Sequence, residues 1–211
     1  MAVYDLEEQE NIEALKAWWQ QYGRLVIAVV VAFVLGVAGI QGWRYHKEQQ
    51  ALKAAALFAD LEEAVRLGDA KKSLDLAKSL ATDYARTAYG ARGGIVAAKV
   101  LFEKADLKGA EDLLRAAVEA AQDEPIRALA SLRLSAVLLD QKKYDDAIKA
   151  VSSPPSEAFA ALFADARGDV LVAQNKVDEA KAAYQVALDK LPKSAAYRNV
   201  VEVKRDALGA R

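Results

Sequence analysis

Between Arg24 and Arg44 the chain reads LVIAVVVAFVLGVAGIQGW, 19 residues with no charge and with Gln41 as the one strongly polar side chain. As a helix this run rises roughly 28 Å, close to the ~30 Å thickness of a bilayer's hydrocarbon. Trp18, Trp19 and Tyr22 stand before it and Trp43 and Tyr45 at its end, the placing of two interfacial aromatic belts. Arg24, Arg44 and Lys47 can snorkel to headgroups on either side. A buried core helix is one alternative, but core helices seldom stay uncharged for so long. A cleaved signal peptide is another. It fits less well: the apolar run starts late, five acids crowd the first thirteen residues, and no A-x-A site follows. The expectation is an uncleaved single-pass anchor over 24–43, with membrane lipid as its surroundings.

Orientation is not decided by charge. Lys16 and Arg24 lie on one side of the run, and Arg44, Lys47 and Lys53 on the other, so the positive-inside count is nearly tied. Within the run, Ala28, Ala32, Gly36 and Gly39 follow one another at steps of four, four and three. That puts small residues on one stripe, where a second membrane helix, from another copy of the chain included, can approach closely. The same residues are common in membrane helices facing lipid. Ahead of the anchor, Ile12, Leu15, Trp19 and Tyr22 recur at helical spacing behind Asp5, Glu7, Glu8 and Glu10. This predicts a short amphipathic helix over 1–23, acidic at its N-terminal end as the macrodipole prefers. It either lies along the membrane surface or extends the anchor.

Beyond the anchor, composition narrows both fold and chemistry. Ala makes up roughly one residue in five, far above ordinary usage, against 11 Gly and 4 Pro, so the chain should be all-α. Lys plus Arg is 29 and Asp plus Glu 30, a balance that argues against a nucleic-acid partner. The absence of Cys excludes disulfides, thiolate zinc sites and a Cys nucleophile; a single His excludes any metal site needing two imidazoles.

The remainder repeats. A small residue follows a polar turn at Ser73, Ala110, Ala147 and Ala180, with separations of 37, 37 and 33, the size of a tetratricopeptide helix–turn–helix unit. The last copy is the sharpest: Gly168, Leu171, Ala180, Tyr184, Ala187 and Pro192 stand at steps of 3, 9, 4, 3 and 5. Gly168 and Ala180 let the two helices of the unit, A and B, approach closely. Tyr184 and Ala187 pack one turn apart toward the next unit, and Pro192 stops helix B. The second unit carries Ala98, Leu101, Ala110, Leu114 and Ala117 in the equivalent places; the third carries Leu134, Ser135, Leu138, Tyr144 and Ala147 before Pro154 and Pro155 cut helix B short. Leu57, Leu61, Ala64, Ala77 and Leu80 form the stripe of the first, with its turn at Gly68-Asp69. Residues 194–208 read as a capping helix with a more polar outer face. The expected architecture is a transmembrane helix followed by an α-solenoid of about four hairpins and a cap.

Helix A of each hairpin lines the concave side of such a solenoid. In register, that surface presents Phe58, Glu62, Arg92, Ile95, Lys99, Phe102, Leu132, Asp165 and Asp169, a mixture of apolar groups and both charge signs suited to a protein partner; several of these also read as packing between units. Some tetratricopeptide modules grip a terminal carboxylate with Lys and Asn at such places. Here Phe58, Glu62, Ile95 and Leu132 stand there, which speaks against a carboxylate clamp. Chemistry finds no foothold elsewhere. His46 sits at the membrane edge, and the pairs Glu62-Glu63 and Asp145-Asp146 read as solvated or capping charges. Gly90-Ala-Arg-Gly-Gly94 lacks the strand and the Gly-Lys-Ser/Thr of a phosphate loop and reads as a loose turn entering helix A. No catalytic residue, metal or cofactor is expected.

Taken together, the acidic amphipathic N-terminus, the anchor ending in GWRYH and the block ALFADARGDVLVAQNKVDEAKAAYQVAL at 161–188 resemble the YfgM-like family, ancillary subunits of the bacterial Sec translocon. The resemblance spans the whole chain. It implies that residues 1–23 face the cytoplasm, 24–43 cross the inner membrane and 44–211 lie in the periplasm. It also implies, as partners, the translocon subunits and a membrane-anchored periplasmic chaperone of the peptidyl-prolyl isomerase type, and it carries no catalytic residue. At Tyr84–Tyr89 the family pattern expects a proline-marked turn, whereas this chain reads YARTAY, which leaves the boundary between units one and two open. From the residues alone, an adaptor facing the cytoplasm in another envelope assembly, or a regulator of a membrane-bound enzyme, remains an alternative.

Overall fold

The computed structural model describes the backbone of residues 3–209. Among those residues it contains nine α-helices, one 3₁₀ turn and no strand, arranged in two units, Met1–Gln49 and Gln50–Arg211.

The first unit is a stretch of α1 (Val3–Arg66), which runs through the amphipathic segment and the apolar run without interruption. The N-terminal segment therefore extends the anchor helix. The side chains of Asp5, Glu7, Glu8 and Glu10, on which the acidic start of that helix rests, lie outside the described residues. From Leu25 to Trp43 the large apolar side chains are exposed apart from a half-buried Val26, so this is not the core helix of a globular domain; it is long and apolar enough to cross a membrane. Trp18 and Tyr22 pack with centroids 5.8 Å apart and ring planes tilted by 41°. The Trp19 indole covers Gly23, where an added Cβ would stand 3.2 Å from the ring.

In the second unit, residues 50–66 of α1 pair with α2 (Ala70–Asp83), α3 (Ala88–Glu103) with α4 (Leu107–Ala120), α5 (Glu124–Asp140) with α6 (Tyr144–Ala150), and α7 (Ala160–Ala173) with α8 (Val177–Lys190); α9 (Tyr197–Ala207) closes the stack. Each hairpin turns through one residue in the left-handed region: Gly68 (φ 73°), Ala105 (61°), Lys142 (60°) and Asn175 (60°). These residues repeat at the same 37, 37 and 33 steps as the small residues of the B helices. The next amide closes each helix end by bonding five residues back, Asp69 to Ala64, Asp106 to Leu101, Lys143 to Leu138 and Lys176 to Leu171, at 2.9–3.0 Å, the Schellman pattern. In the first two units that residue is an Asp that also caps the following helix, accepting from the amides of Lys72 and Gly109. Only the first turn carries glycine; the other three side chains sit there at about 1–2 kcal/mol each, a strain that the closing bonds and the buried stripes offset.

Ser73, Ala110, Ala147 and Ala180 are all buried, because a small residue there lets helix B cross close to its helix A. One core joins α3–α6 through Ile95, Leu101, Leu114, Leu134 and Leu138; a second joins α7, α8 and α9 through Leu171, Tyr184, Leu188 and Val201; a third joins α1, α2 and α3 through Leu61, Ala77, Leu80 and Ala97. The Tyr184 ring lies across Gly168 within its own hairpin and under Lys204 of the cap, so it serves both the unit and its neighbour.

Three local readings change. Gly90–Gly94 is not a loose turn but the first half of α3, and Gly90, Gly93 and Gly94 are buried. A Cβ on Gly93 would meet Leu80 Cβ at 2.5 Å and one on Gly90 would meet the backbone of Tyr84 and Ala85 at 2.6 Å. Close packing of α3 on α2 outweighs glycine's poor helix propensity. The open boundary at 84–89 is a short turn without proline. There Thr87 accepts from the amide of Tyr89 and donates its hydroxyl to the Tyr84 carbonyl. Finally, the cap's outer face is mixed rather than polar: Val200 and Val203 are exposed there, while Lys204 turns inward to reach α7.

The second and third hairpins are bolted by a buried carboxylate. Glu111 of α4 accepts from Lys143 Nζ at 2.7 Å and from Arg115 Nε at 2.9 Å. The Lys143 bond holds its carboxyl down at about 2 against the opposing effect of burial, with Arg115 and Gln141 adding to the depression. A carboxyl whose folded value lies below its unfolded value contributes stability above the unfolded value, near 4.5, and loses it as pH falls toward 2. We expect Glu111→Gln to lower stability by roughly 2 kcal/mol at pH 6. Denaturant titrations of both proteins should show that gap shrinking steadily between pH 5 and 2; a gap that does not change with pH refutes the assignment.

Candidate partner-binding groove

Because the A helices repeat in register, positions 58, 95, 132 and 165 form one row along α1, α3, α5 and α7, and positions 62, 99, 136 and 169 form the next. The structure treats the two rows differently. Ile95, 7 % exposed, belongs to the core between hairpins. Phe58 is half-buried and stacks on Tyr89 at 5.4 Å, Leu132 is half-buried beside Phe163, and Asp165 is only 3 % exposed. In the second row Glu62 and Lys99 are open to solvent, Lys99 standing 3.7 Å from Glu103. Phe102 is 39 % exposed. Arg92 lies over the Tyr89 ring at 5.9 Å and faces Asp123 at 3.7 Å. The accessible part of the predicted surface is therefore Glu62, Lys99 and Phe102, with Phe58, Arg92, Leu132 and Asp169 half-covered.

The rows close on a cavity of about 260 Å³ between α5, α7 and α9, walled on one side by Leu132, Leu139 and Leu162. Its other wall is ionic. Lys204 Nζ of α9 lies 2.9 and 3.1 Å from the two Asp165 oxygens and 2.8 Å from Asp169 Oδ2. The Tyr197 hydroxyl donates to Asp165 at 2.6 Å and the Tyr184 hydroxyl to Asp169 at 2.8 Å. Burial, then the hydrogen bond to a carboxylate, pushes both phenols upward. Burial pulls the Lys204 ammonium down, but its bonds to Asp169 and Asp165 more than compensate, and it too titrates above its ordinary value. All three groups titrate above their ordinary values, which is the mark of a hydrogen-bonded, half-buried ion-pair network.

A family model for a tetratricopeptide repeat-like domain matches residues 16–210. The ancillary SecYEG translocon subunit of Neisseria gonorrhoeae is 32% identical over 205 residues, covering 96% of this chain and 98% of that protein. The protein of the same name from Haemophilus influenzae is 33% identical over 187 residues, 87% of this chain and 90% of its own. The chain belongs to this family of ancillary SecYEG translocon subunits. The Escherichia coli K12 member is 29% identical over 191 residues, 89% of this chain and 90% of its own length. A solved structure of MamA from Desulfovibrio magneticus, residues 41 to the end, superimposes with a TM-score of 0.54 at 20% identity, covering 74% of this chain and 89% of that one. That likeness carries the tetratricopeptide-type fold alone.

Within this family member, sequence reasoning overlooked Lys204, Tyr197 and Tyr89. A signal for the first two exists: Tyr197, Val201, Lys204 and Leu208 recur at steps of 4, 3 and 4, one helical stripe, and that stripe faces α7 and α8. For Tyr89 no comparable signal stands out.

Proposed function

We propose that the chain is a non-enzymatic, single-pass inner-membrane adaptor of the Sec translocon. Its residues 1–23 would stand in the cytoplasm, 24–43 in the bilayer and 44–211 in the periplasm. The observation that carries this reading is the end-to-end match to ancillary subunits, 96% of this chain against 98% of the relative, which takes in anchor and solenoid together. The exposed apolar helix supports a membrane location. The mixed A-helix surface of Glu62, Arg92, Lys99 and Phe102 supports contacts with folded proteins: translocon subunits and a membrane-anchored periplasmic chaperone of the peptidyl-prolyl isomerase type. Tethering beside the translocon raises the local concentration of the solenoid toward both. The stripe Ala28, Ala32, Gly36 and Gly39 is the surface for a second membrane helix, whether translocon or another copy; a Cβ at Gly36 or Gly39 would meet nothing within 4 Å.

The test joins topology to capture. Alkaline phosphatase fused after Arg211 is expected to be active in intact cells, and translocon subunits are expected to co-purify with the tagged chain from mildly solubilised membranes. An inactive phosphatase fusion together with an active β-galactosidase fusion at the same position overturns the orientation, and clean purification without the translocon overturns the assignment. Double substitution of Gly36 and Gly39 by Leu should reduce recovery of the translocon; undiminished recovery makes the stripe an ordinary lipid-facing surface.

A further inference from the structure

A third row runs along the A helices, next to positions 62, 99, 136 and 169. At the same steps of 37, 37 and 33 stand Val65, Phe102, Leu139 and Val172, one apolar side chain from each hairpin. Three are open to solvent, Val65 at 50 %, Phe102 at 39 % and Val172 at 38 %, and Leu139 is half-buried. The solvent side of a helix in a folded domain is ordinarily polar, and an apolar patch left open in a continuous line marks an interaction surface. Leu139 also lines the cavity of about 260 Å³ beside Leu132 and Leu162, so the row continues into the groove.

Spacing restricts the shape of what covers the row. Helix α3 packs directly on α5 and α5 on α7, and Phe58 of α1 meets Tyr89 of α3, so successive members of the row stand about 8–10 Å apart. A left-handed polyproline-type segment shows the same face every three residues, about 9.3 Å. A strand does so after about 6.7 or 13 Å, and a helix after seven residues and about 10.5 Å. The left-handed extended form alone falls inside the range.

The adjoining row supplies the charge pattern. Glu62 is exposed and forms no ion pair among the described residues. Lys99, also exposed, has Glu103 at 3.7 Å; Ala136 is uncharged, and Asp169 is held by Lys204. From the first hairpin onward the order is therefore an unpaired acid, a loosely held base, no charge, and a satisfied acid. We propose that the row is the docking site for an extended, left-handed segment of a partner protein, about ten residues long. Its apolar side chains at i, i+3, i+6 and i+9 lie on Val65, Phe102, Leu139 and Val172. A basic and an acidic residue three positions apart stand beside Glu62 and Lys99. Unfolded chains and proline-rich linkers already populate this conformation, which keeps the ordering cost of binding low. The proposal rests on the partner-binding reading of the A-helix surface and names the chemistry which that surface takes.

The probes are the end-blocked, fluorescein-labelled peptides LKPLEPLSPL and LSPLEPLKPL, which offer the same groups in the two chain directions. Their anisotropy is measured against the full chain in lipid nanodiscs. Saturable binding of at least one is expected, weakened about tenfold by Phe102→Asp and by Val172→Asp and unchanged by Val203→Asp, which lies on α9 outside the row. Glu62→Lys should weaken the bound peptide and strengthen its counterpart with Glu in place of Lys. All four positions are exposed, so these variants should keep the wild-type circular dichroism spectrum. The peptide LKPGLEPGLSPGL, with its apolar residues four apart, should bind at least about tenfold more weakly. Failure of both probes to saturate, equal binding of the four-spaced peptide, or binding indifferent to Phe102→Asp overturns the proposal. So does preference for an Ala-rich helical peptide with Leu at every seventh position, which assigns the row to a helix. Self-association that Phe102→Asp abolishes while the probes stay unbound assigns it to a second copy and equally overturns the proposal. Wild-type chain that recovers the translocon but binds neither probe sinks this inference alone, whereas probe binding without translocon recovery sinks the adaptor assignment alone.

Discussion

Lys204→Met is expected to lower the stability of the C-terminal end of the solenoid by about 3 kcal/mol. The side chain is a hub: its ammonium contacts both oxygens of Asp165 and one of Asp169 and sits 5.8 Å from the Tyr184 ring. Methionine keeps the apolar stem and its packing but leaves Asp165, 3 % exposed, as a charge whose one remaining hydrogen bond among the described residues comes from the Tyr197 hydroxyl. Breaking a buried ion pair by removing one partner costs roughly 3–5 kcal/mol; the lower end applies because Lys204 and Asp169 are each about a third exposed. In a solenoid the terminal repeat can open alone, so the readout is amide exchange in α7–α9 of the full chain, set against α3–α4 as an internal reference. Adding Asp165→Asn should restore a good part of the loss, since the stranded charge is then gone. A loss under 1 kcal/mol, or no recovery in the double variant, means that apolar packing around Val201 alone holds the cap.

The second large effect has a sign that helix propensity gets wrong. Glycine inside a helix usually costs about 0.5–1 kcal/mol relative to alanine, so Gly93→Ala in α3 looks like a stabilising change. The structure says otherwise: the new methyl would stand 2.5 Å from Leu80 Cβ and 3.1 Å from the Ala77 carbonyl. Neither neighbour is the far end of a flexible side chain, so α3 must move off α2. We expect a net loss of about 2 kcal/mol, with the same change at Gly94, where the nearest atoms are 3.4 Å away, near neutral or stabilising. Denaturant midpoints of the two variants measured side by side decide it. If both shift in the same direction, the contact between α2 and α3 is looser than the structure shows.

Both expectations come from places where neighbours in space, rather than neighbours in sequence, determine what a residue does. Gly93 and Leu80 are thirteen positions apart, Asp165 and Lys204 thirty-nine. Reading along the chain correctly anticipates an apolar helix, four hairpins and a cap, because each is written in a local period. It also anticipates a short third B helix from Pro154 and Pro155, although α6 ends at Ala150, four residues ahead of the first proline. It reads α3's glycines as a loop, because glycine in a helix has a rationale only once the partner helix is in place. In the groove, helical spacing alone finds the rows of α1, α3, α5 and α7, but it cannot say that Ile95 and Asp165 are covered while Glu62, Lys99 and Phe102 are open.

The sequence by itself determined that a 19-residue uncharged helix precedes a stack of helical hairpins at steps of 37, 37 and 33. Backbone hydrogen bonding in an apolar medium and the 3.6-residue turn leave few other solutions for such patterns. Tertiary structure alone decided which candidate residues are buried and that α9 turns Lys204 into the acidic wall. Those outcomes depend on the relative placement of helices far apart in the chain, which is set by side-chain volume and charge summed over whole interfaces and leaves no periodic trace in any one segment.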